Sequence, residues 1–301
     1  MREIYKEYTR CRLCPRNCGA DRSMAVGYCR ESDTLRVARA ALHMWEEPCI
    51  SGKSGSGTVF FSGCNMGCVF CQNRSISRGG AGRKISLERL VEIFFELKDK
   101  GACNINLVTA DIYIPAVADA IHRARMQDIG IPFIFNTSSY LNVESLKRLD
   151  GLIDIYLPDF KYIRDRDALR YSNAGGYVEA AKDAVSEMVR QQPVCVYEDG
   201  LLKKGVLVRH LLMPGMLIQA KMIVKYLYDN YNDRIIISLM NQFTPDDQRL
   251  SGFPEIDRKV TEAEYKSLVD YAAGLGVMRG YIQEGDTAKE SFIPEFDCTG
   301  V

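Results

Sequence analysis

The stretch Cys64-Asn-Met-Gly-Cys68-Val-Phe-Cys71 decides how this chain is read. Three thiolates at that spacing fit on one short loop and can grip an iron–sulfur cluster. The run before it, Thr58-Val-Phe-Phe-Ser-Gly63, is short, β-branched and aromatic, and follows the turn signal Lys53-Ser-Gly-Ser-Gly57. Residues 58–63 are therefore expected to form a buried strand. The cysteines follow the carboxyl end of that strand, which is where α/β folds place their chemistry.

A cubic 4Fe–4S cluster normally takes four thiolates, one per iron. Three leave one iron open to a small molecule bearing an amine and a carboxylate, much as a catalytic zinc keeps an open position. The competing readings are a structural zinc site and three buried thiols. Zinc sites usually pair Cys-x2-4-Cys knuckles and need a fourth ligand, and no cysteine or histidine follows Cys71 until Cys103. The cluster is the better fit.

Length and composition set the bounds. The 301 residues suffice for one large α/β domain with a small appendage. At 47% hydrophobic and 26% charged, the chain has the composition of a folded globular protein. Its 39 basic and 39 acidic residues cancel, so no global field points to nucleic acid as a partner. No apolar run reaches membrane-span length, and the first residues lack the apolar region of a signal peptide. The expectation is a cytoplasmic protein without membrane or nucleic-acid partners. Eleven cysteines in such a compartment argue against a disulfide framework, and seven of them fall in two tight clusters, which argues for metal. An oxygen-sensitive cluster suggests an anaerobic or microaerobic cell.

The second cluster is Cys11-Arg-Leu-Cys14-Pro-Arg-Asn-Cys18, closed by Cys29 after Gly27-Tyr28. The residues between are too polar for a core, so a metal would supply the folding energy that burial cannot. Four thiolates suit zinc or an iron–sulfur cluster equally. Residues 1–50 are expected to be a cysteine-rich metal-binding segment and linker, and residues 51–301 the main domain with a lid-like tail from 280 onward, carrying Tyr281, Phe292, Pro294 and Phe296. The lone Cys49, Cys103, Cys195 and Cys298 are expected as buried thiols. Trp45-Glu-Glu-Pro48 is expected to be a solvated turn, with a pocket-lining role for Glu46 and Glu47 as the lesser alternative, and His43 shares that ambiguity.

From residue 86 helix and strand patterns alternate. Helices are expected over 86–97, 115–129, 142–149, 178–190, 218–231 and 261–274, and strands over 104–109, 132–136, 152–157, 206–211, 235–240 and 279–283. This implies parallel βα units with right-handed crossovers, too few for an eight-fold barrel. The expected fold is α/β, an open partial (β/α)6 TIM-like barrel. Polar groups recur at the strands' carboxyl ends: Thr109 and Asp111, Asn136 and Ser138, Asp159 and Lys161, Arg209 and His210, Asn241 and Gln242. Any one of them is more often a cap or turn former, but the recurrence marks a site.

Cys-x3-Cys-x2-Cys with Phe70 before its last cysteine resembles the signature of radical S-adenosylmethionine (SAM) enzymes. The resemblance implies a 4Fe–4S cluster on Cys64, Cys68 and Cys71 whose open iron chelates SAM. It also implies an external one-electron donor such as flavodoxin or ferredoxin, and reductive cleavage of SAM to a 5′-deoxyadenosyl radical that abstracts hydrogen. Beyond the loop, nearly the whole chain resembles the pyruvate formate-lyase activating enzyme-like branch, in a group with a cysteine-rich front end. The residues that carry this are Cys11 to Gly19, Trp45-Glu-Glu-Pro48, Gly55 to Cys64, Asn136-Thr-Ser-Ser-Tyr140, Asp154 to Tyr162, Arg209 to Gly215 and Ile293-Pro-Glu-Phe-Asp297.

By position, the resemblance puts Asn136 and Ser138 near the SAM methionine or ribose. Asp159 and Lys161 match an Asp-x-Lys element that sits beside SAM and, in some members, a monovalent cation, and Arg209 and His210 line the adenosyl or substrate side. Asp159, Lys161 and Arg209 are the catalytic candidates. Where many members carry Gly-Gly-Glu for the SAM amino group, this chain has Val108-Thr-Ala-Asp-Ile-Tyr113, leaving Thr109 and Asp111 to supply an oxygen. The branch implies an activase acting on a glycyl radical enzyme; the alternatives are a small-metabolite or peptide substrate and, from another class, a zinc-dependent interaction module without catalysis.

Overall fold

The computed structural model describes residues 5–78, 80–245, 250–283 and 293–301. Ten strands form one sheet: β1 (Arg36–His43), β2 (Ser56–Phe61), β3 (Arg83–Lys84), β4 (Ile105–Val108), β5 (Phe133–Thr137), β6 (Ile155–Pro158), β7 (Val196–Glu198), β8 (Leu201–Leu211), β9 (Ile236–Met240) and β10 (Gly280–Ile282). Their order is β10-β9-β8-β6-β5-β4-β2-β1-β3, with β7 in a hairpin on β8. Along that path every pairing from β2 to β10 is parallel, with only the β7 hairpin off it antiparallel, while β1 and β3 run antiparallel at the other edge. Among the described residues no pairing joins β10 to β3, so the sheet stays open as a partial barrel.

Parallel strands covered on both faces read as unbroken apolar runs. Here β2, β4 and β6 are buried at every residue. Successive side chains point to opposite faces. Phe133 and Phe135 of β5 therefore join the large core under the helices, while Ile134 faces inward with Ile155, Leu157, Leu207 and Ile236. Cys49 and Ile50, on the helical turn Pro48–Ser51, plug the bottom of that inner layer.

The outer layer is α1 (Leu87–Asp99), α2 (Ile114–Met126), α3 (Val143–Lys147), α4 (Asp165–Ser172), α5 (Tyr177–Gln191), α6 (Leu217–Tyr231) and α7 (Glu262–Leu275). Ser86 caps α1 by accepting from Arg89 N at 3.1 Å, and Thr261 with Glu264 forms a capping box on α7. Phe94 of α1 packs on Phe133 at 5.2 Å between ring centroids, and burying such a ring stabilises the sheet–helix contact by about 1.5–3 kcal/mol. Among the described residues no helix is long and apolar enough to cross a membrane.

Three features depart from the sequence expectations. The linker expected before residue 51 contains β1, which belongs to the main sheet. A β-bulge between Val37 and Arg39 breaks the strict alternation that would have shown it. The tail is not simply a lid. Cys298 N donates to Ala38 O, Ala40 N donates to Thr299 O, and Phe296 packs on Phe60, so the chain end is fastened along β1. Phe292 lies outside the described residues. Of the lone cysteines, Cys49 is buried and Cys103, Cys195 and Cys298 are half-buried.

Candidate active site

The carboxyl ends of the parallel strands open into a cavity of about 400 Å³ with Cys68, Phe70 and Cys71 on its wall. The sequence makes the loop local and rigid. Gly63 leaves β2 at φ 84°, and a Cβ there would lie 2.4 Å from Glu31 Cγ and 2.9 Å from Ile112 Cδ1, so only glycine fits. Gly67 N then donates to Ser172 O and Val69 N to Tyr171 O, docking the loop on α4. Each sulfur has a hydrogen-bonding group beside it. Met66 N donates to Cys64 Sγ at 3.4 Å, Ser172 Oγ donates to Cys68 Sγ at 2.9 Å, and Ser77 Oγ lies 3.4 Å from Cys71 Sγ. Burial, and then the neighbouring thiols, push Cys64 up; burial also pushes Cys68 up against the pull of Lys161. Among the described residues no three potential ligands surround one point at metal-bonding range, so closing the thiols on a metal centre requires side-chain rotation.

Opposite the loop, Lys161 Nζ sits 2.5 Å from Asp159 Oδ2, and both line the cavity. Burial works against the lysine's charge, but Asp159 and Cys68 outweigh it and hold its pKa up. Tyr177, which the sequence did not single out, fixes this turn. Its hydroxyl accepts from Lys161 N at 2.9 Å and lies 3.1 Å from the carbonyls of Ser138 and Asp159. Thr109 and Asn136 also line the cavity, with Thr109 at φ 60° and its N–H on Asn136 O at 3.0 Å. Phe70 packs on Phe243 at 5.6 Å and closes one side.

Asp111, Ser138 and His210 do not line this cavity. Asp111 is 1% exposed and accepts from Thr137 through Oδ1, while Oδ2 has no partner among the described residues. Burial raises its carboxyl to about 6, against the Thr137 hydrogen bond, and its charge is felt at Cys64. Ser138 Oγ and His210 Nε2 are likewise buried without a partner. His210 Nδ1 is 2.8 Å from Phe160 O, and its ring borders a separate small cavity beneath α6, where burial lowers its pKa to about 4.

The expected solvated turn at Glu46 and Glu47 is instead the floor of the cavity. Arg209 Nε donates to Glu47 at 2.8 Å, and its Nη2 bonds both glutamates. All three side chains are no more than 10% exposed. Asn106 Nδ2 donates to Glu46 at 2.8 Å. Burial alone would raise Glu47, but Arg209 holds it below the usual carboxylate range. The lone arginine inside the apolar strand run 206–211 was the available sign that buried acids lay opposite. Trp45 and His43 line the same cavity, and Trp45 is 60% exposed.

Residues 58–227, more than half of the chain, match the family model described as the Radical SAM superfamily. The chain belongs to that superfamily. Membership brings a 4Fe–4S cluster and SAM, and makes this an enzyme of the radical SAM class. It replaces the zinc-module alternative for the 64–71 loop. An uncharacterized protein of Methanocaldococcus jannaschii is 27% identical over 279 residues, covering 90% of this chain and 76% of that one. Methylornithine synthase shares the fold at a TM-score of 0.51 and 14% identity, over 79% of this chain and 68% of its own. A domain of a pyruvate-formate lyase-activating enzyme from Bacteroides vulgatus aligns at TM-score 0.42 and 13% identity, over 57% of this chain and 92% of that domain. The donor set in this radical SAM chain fits the cluster: three thiols on one loop, a hydrogen-bonding group at each sulfur, and a lysine cation close by.

Proposed function

We propose that Cys64, Cys68 and Cys71 hold the 4Fe–4S cluster, that the facing wall of the cavity holds SAM, and that the chain cleaves SAM reductively to remove hydrogen from a substrate carbon. The observation that carries this is the placement of the thiol loop and the Asp159–Lys161 pair on one cavity of about 400 Å³. When bound, the cluster and SAM supply the one-electron cleavage of a sulfonium and a carbon radical; the chain supplies binding, orientation and the exclusion of water.

Lys161 would neutralise the SAM carboxylate, with Asp159 and Tyr177 holding the lysine in place. Thr109, on the cavity wall, supplies an oxygen for the SAM ammonium. Phe70 and Phe243 keep water from the loop, and Arg209 with Glu46 and Glu47 forms a rigid polar floor toward the substrate side. Anaerobic reconstitution should give about four irons at the loop. Dithionite and SAM should then release 5′-deoxyadenosine, and an intact cluster that yields none sinks this assignment.

For the finer class, the Asp159-x-Lys161 element and the matches from Arg209 to Gly215 support an activating-enzyme-like member fed by flavodoxin or ferredoxin and acting on a glycine of a partner protein. Ile293 and Pro294 line the cavity from the chain's own tail, which favours a small metabolite or peptide as the second reading. A glycyl radical signal on mixing with a glycyl radical enzyme supports the first. Deuterium transfer from a labelled small substrate into 5′-deoxyadenosine supports the second.

A further inference from the structure

We infer that Cys11, Cys14, Cys18 and Cys29 form a second metal site, a closed tetrathiolate centre for one zinc-like ion, whose job is to brace the 64–71 loop from its outer side. The assignment does not depend on SAM chemistry.

All four cysteines line one cavity of about 10 Å³, together with Arg22 and Asn65. That is room for about one water-sized sphere, which suits a single ion once the thiol side chains rotate onto it. The backbone is wound to bring the thiols together. Gly19 N donates to Cys11 O at 3.0 Å, Cys11 N to Ala20 O at 2.9 Å and Asn17 N to Cys14 O at 3.0 Å. Asn17 and Gly19 both turn through positive φ, at 43° and 63°. Gly27 stands where any Cβ would lie 3.3 Å from Cys29 Sγ and 3.6 Å from Cys18 Sγ, so those two sulfurs flank one point.

Arg22 supplies the charge argument. Its side chain is fully buried, and the same Gly27 position lies 3.8 Å from its Cδ. Its guanidinium donates to the carbonyls of Glu31 at 3.2 Å, Ile112 at 2.6 Å and Ser32 at 2.6 Å. These are neutral acceptors, and among the described residues no carboxylate forms an ion pair with Arg22. Glu31, ion-paired to Arg36 at 3.4 Å, is a carboxylate whose charge reaches Arg22 without touching it, and a buried cation with no direct counter-ion costs several kcal/mol. A divalent ion held by four thiolates carries net charge −2 and provides the missing partner.

The centre leans on the active-site loop through a layer of arginines and one tyrosine. Arg16 Nε donates to Asn65 O at 2.8 Å, and its guanidinium lies 3.6 Å over the Tyr28 ring. Arg78 bonds the carbonyls of Met66 and Tyr28, and Arg30 donates to Arg78 O at 2.7 Å. Asn65 and Met66 directly follow Cys64, so a front segment that loses its metal loses the outer support of the loop.

The test uses the full chain carrying Cys64→Ala, Cys68→Ala and Cys71→Ala, which cannot hold the first cluster. Elemental analysis should find about one zinc per chain and no iron. Cobalt(II) exchanged into this protein should give the visible bands of tetrahedral tetrathiolate coordination. Iron with acid-labile sulfide, or no metal at all, overturns the assignment. Arg22→Gln keeps all four thiols and should weaken metal affinity roughly 10- to 100-fold, measured by chelator competition; unchanged affinity removes the charge-pairing argument. In the otherwise native chain, Cys14→Ser should speed hydrogen exchange at the Gly67 and Val69 amides, and unaltered exchange there removes the bracing role.

Discussion

Replacing Asp111 with asparagine should stabilise the cluster-free protein near neutral pH. The carboxyl is buried among β4, β5 and the cluster loop, and burial moves it from its ordinary 3.8 to about 6. That displacement corresponds to about 3 kcal/mol. Below pH 3.8 the group is protonated in both the folded and the unfolded chain and costs nothing. As pH rises toward about 6 the unfolded chain ionises first, so folding stability falls, and above 6 the full cost is in place. At pH 4.5 the cost is already about 1 kcal/mol, so the stability gap between Asp111→Asn and wild type should widen by about 2 kcal/mol from pH 4.5 to 8. Reading the change in the gap, rather than its absolute size, cancels any constant penalty from the new amide. Urea unfolding at a series of pH values measures it, and parallel profiles for the two proteins would refute the reasoning. In the reconstituted enzyme the same variant should bind SAM with unchanged affinity, because Asp111 lies outside the cavity that holds SAM. A clear loss of affinity would mean that the carboxyl reaches SAM.

Arg209→Met strands two buried glutamates and should cost about 3–5 kcal/mol. That is roughly 6–20 °C in Tm by calorimetry, and adding Glu46→Gln and Glu47→Gln should recover part of it; a loss under about 1 kcal/mol would mean the floor is solvated after all. Ser172→Ala removes the hydroxyl that donates to Cys68 Sγ at 2.9 Å. The reduced cluster carries more negative charge and gains more from that donor, so its midpoint potential should fall by on the order of 20–40 mV in a titration followed by electron paramagnetic resonance; a rise contradicts the assigned contact. Cys68→Ala should abolish both the brown colour and 5′-deoxyadenosine formation, and a variant that keeps its iron would place the cluster elsewhere.

Much of the scaffold was legible because its strands are buried on both faces and its helices carry clean apolar stripes. The strand expected over 132–136 is β5 at Phe133–Thr137, and the helix expected over 218–231 is α6 at Leu217–Tyr231. What escaped was whatever owes its existence to a distant partner. The helix α4 reads Asp-Arg-Asp-Ala-Leu-Arg-Tyr-Ser, with too little apolar surface to announce itself. It exists because Tyr171 and Ser172 accept the amides of Val69 and Gly67 from a loop about a hundred residues earlier. Tyr177 was hidden for the same reason, as its role is to join two turns that only the folded sheet brings together.

Glu46 and Glu47 make the strongest case for this limit. Taken locally, two acids between an exposed tryptophan and a proline belong in solvent, and propensity gives no reason to think otherwise. They are driven inward because Pro48 starts the helical turn that carries Cys49 and Ile50 into the inner layer of the barrel, and burying Ile50 draws the preceding residues with it. Once inside they need a cation, and Arg209 at the end of β8 is the group that meets them, 162 residues away. Each partner alone is a buried charge that folding would reject; together they are tolerated and hold the cavity floor in one geometry. A sequence pattern registers the first half of that logic, the apolar plug, and the charge pairing becomes visible only when β8 is placed beside it.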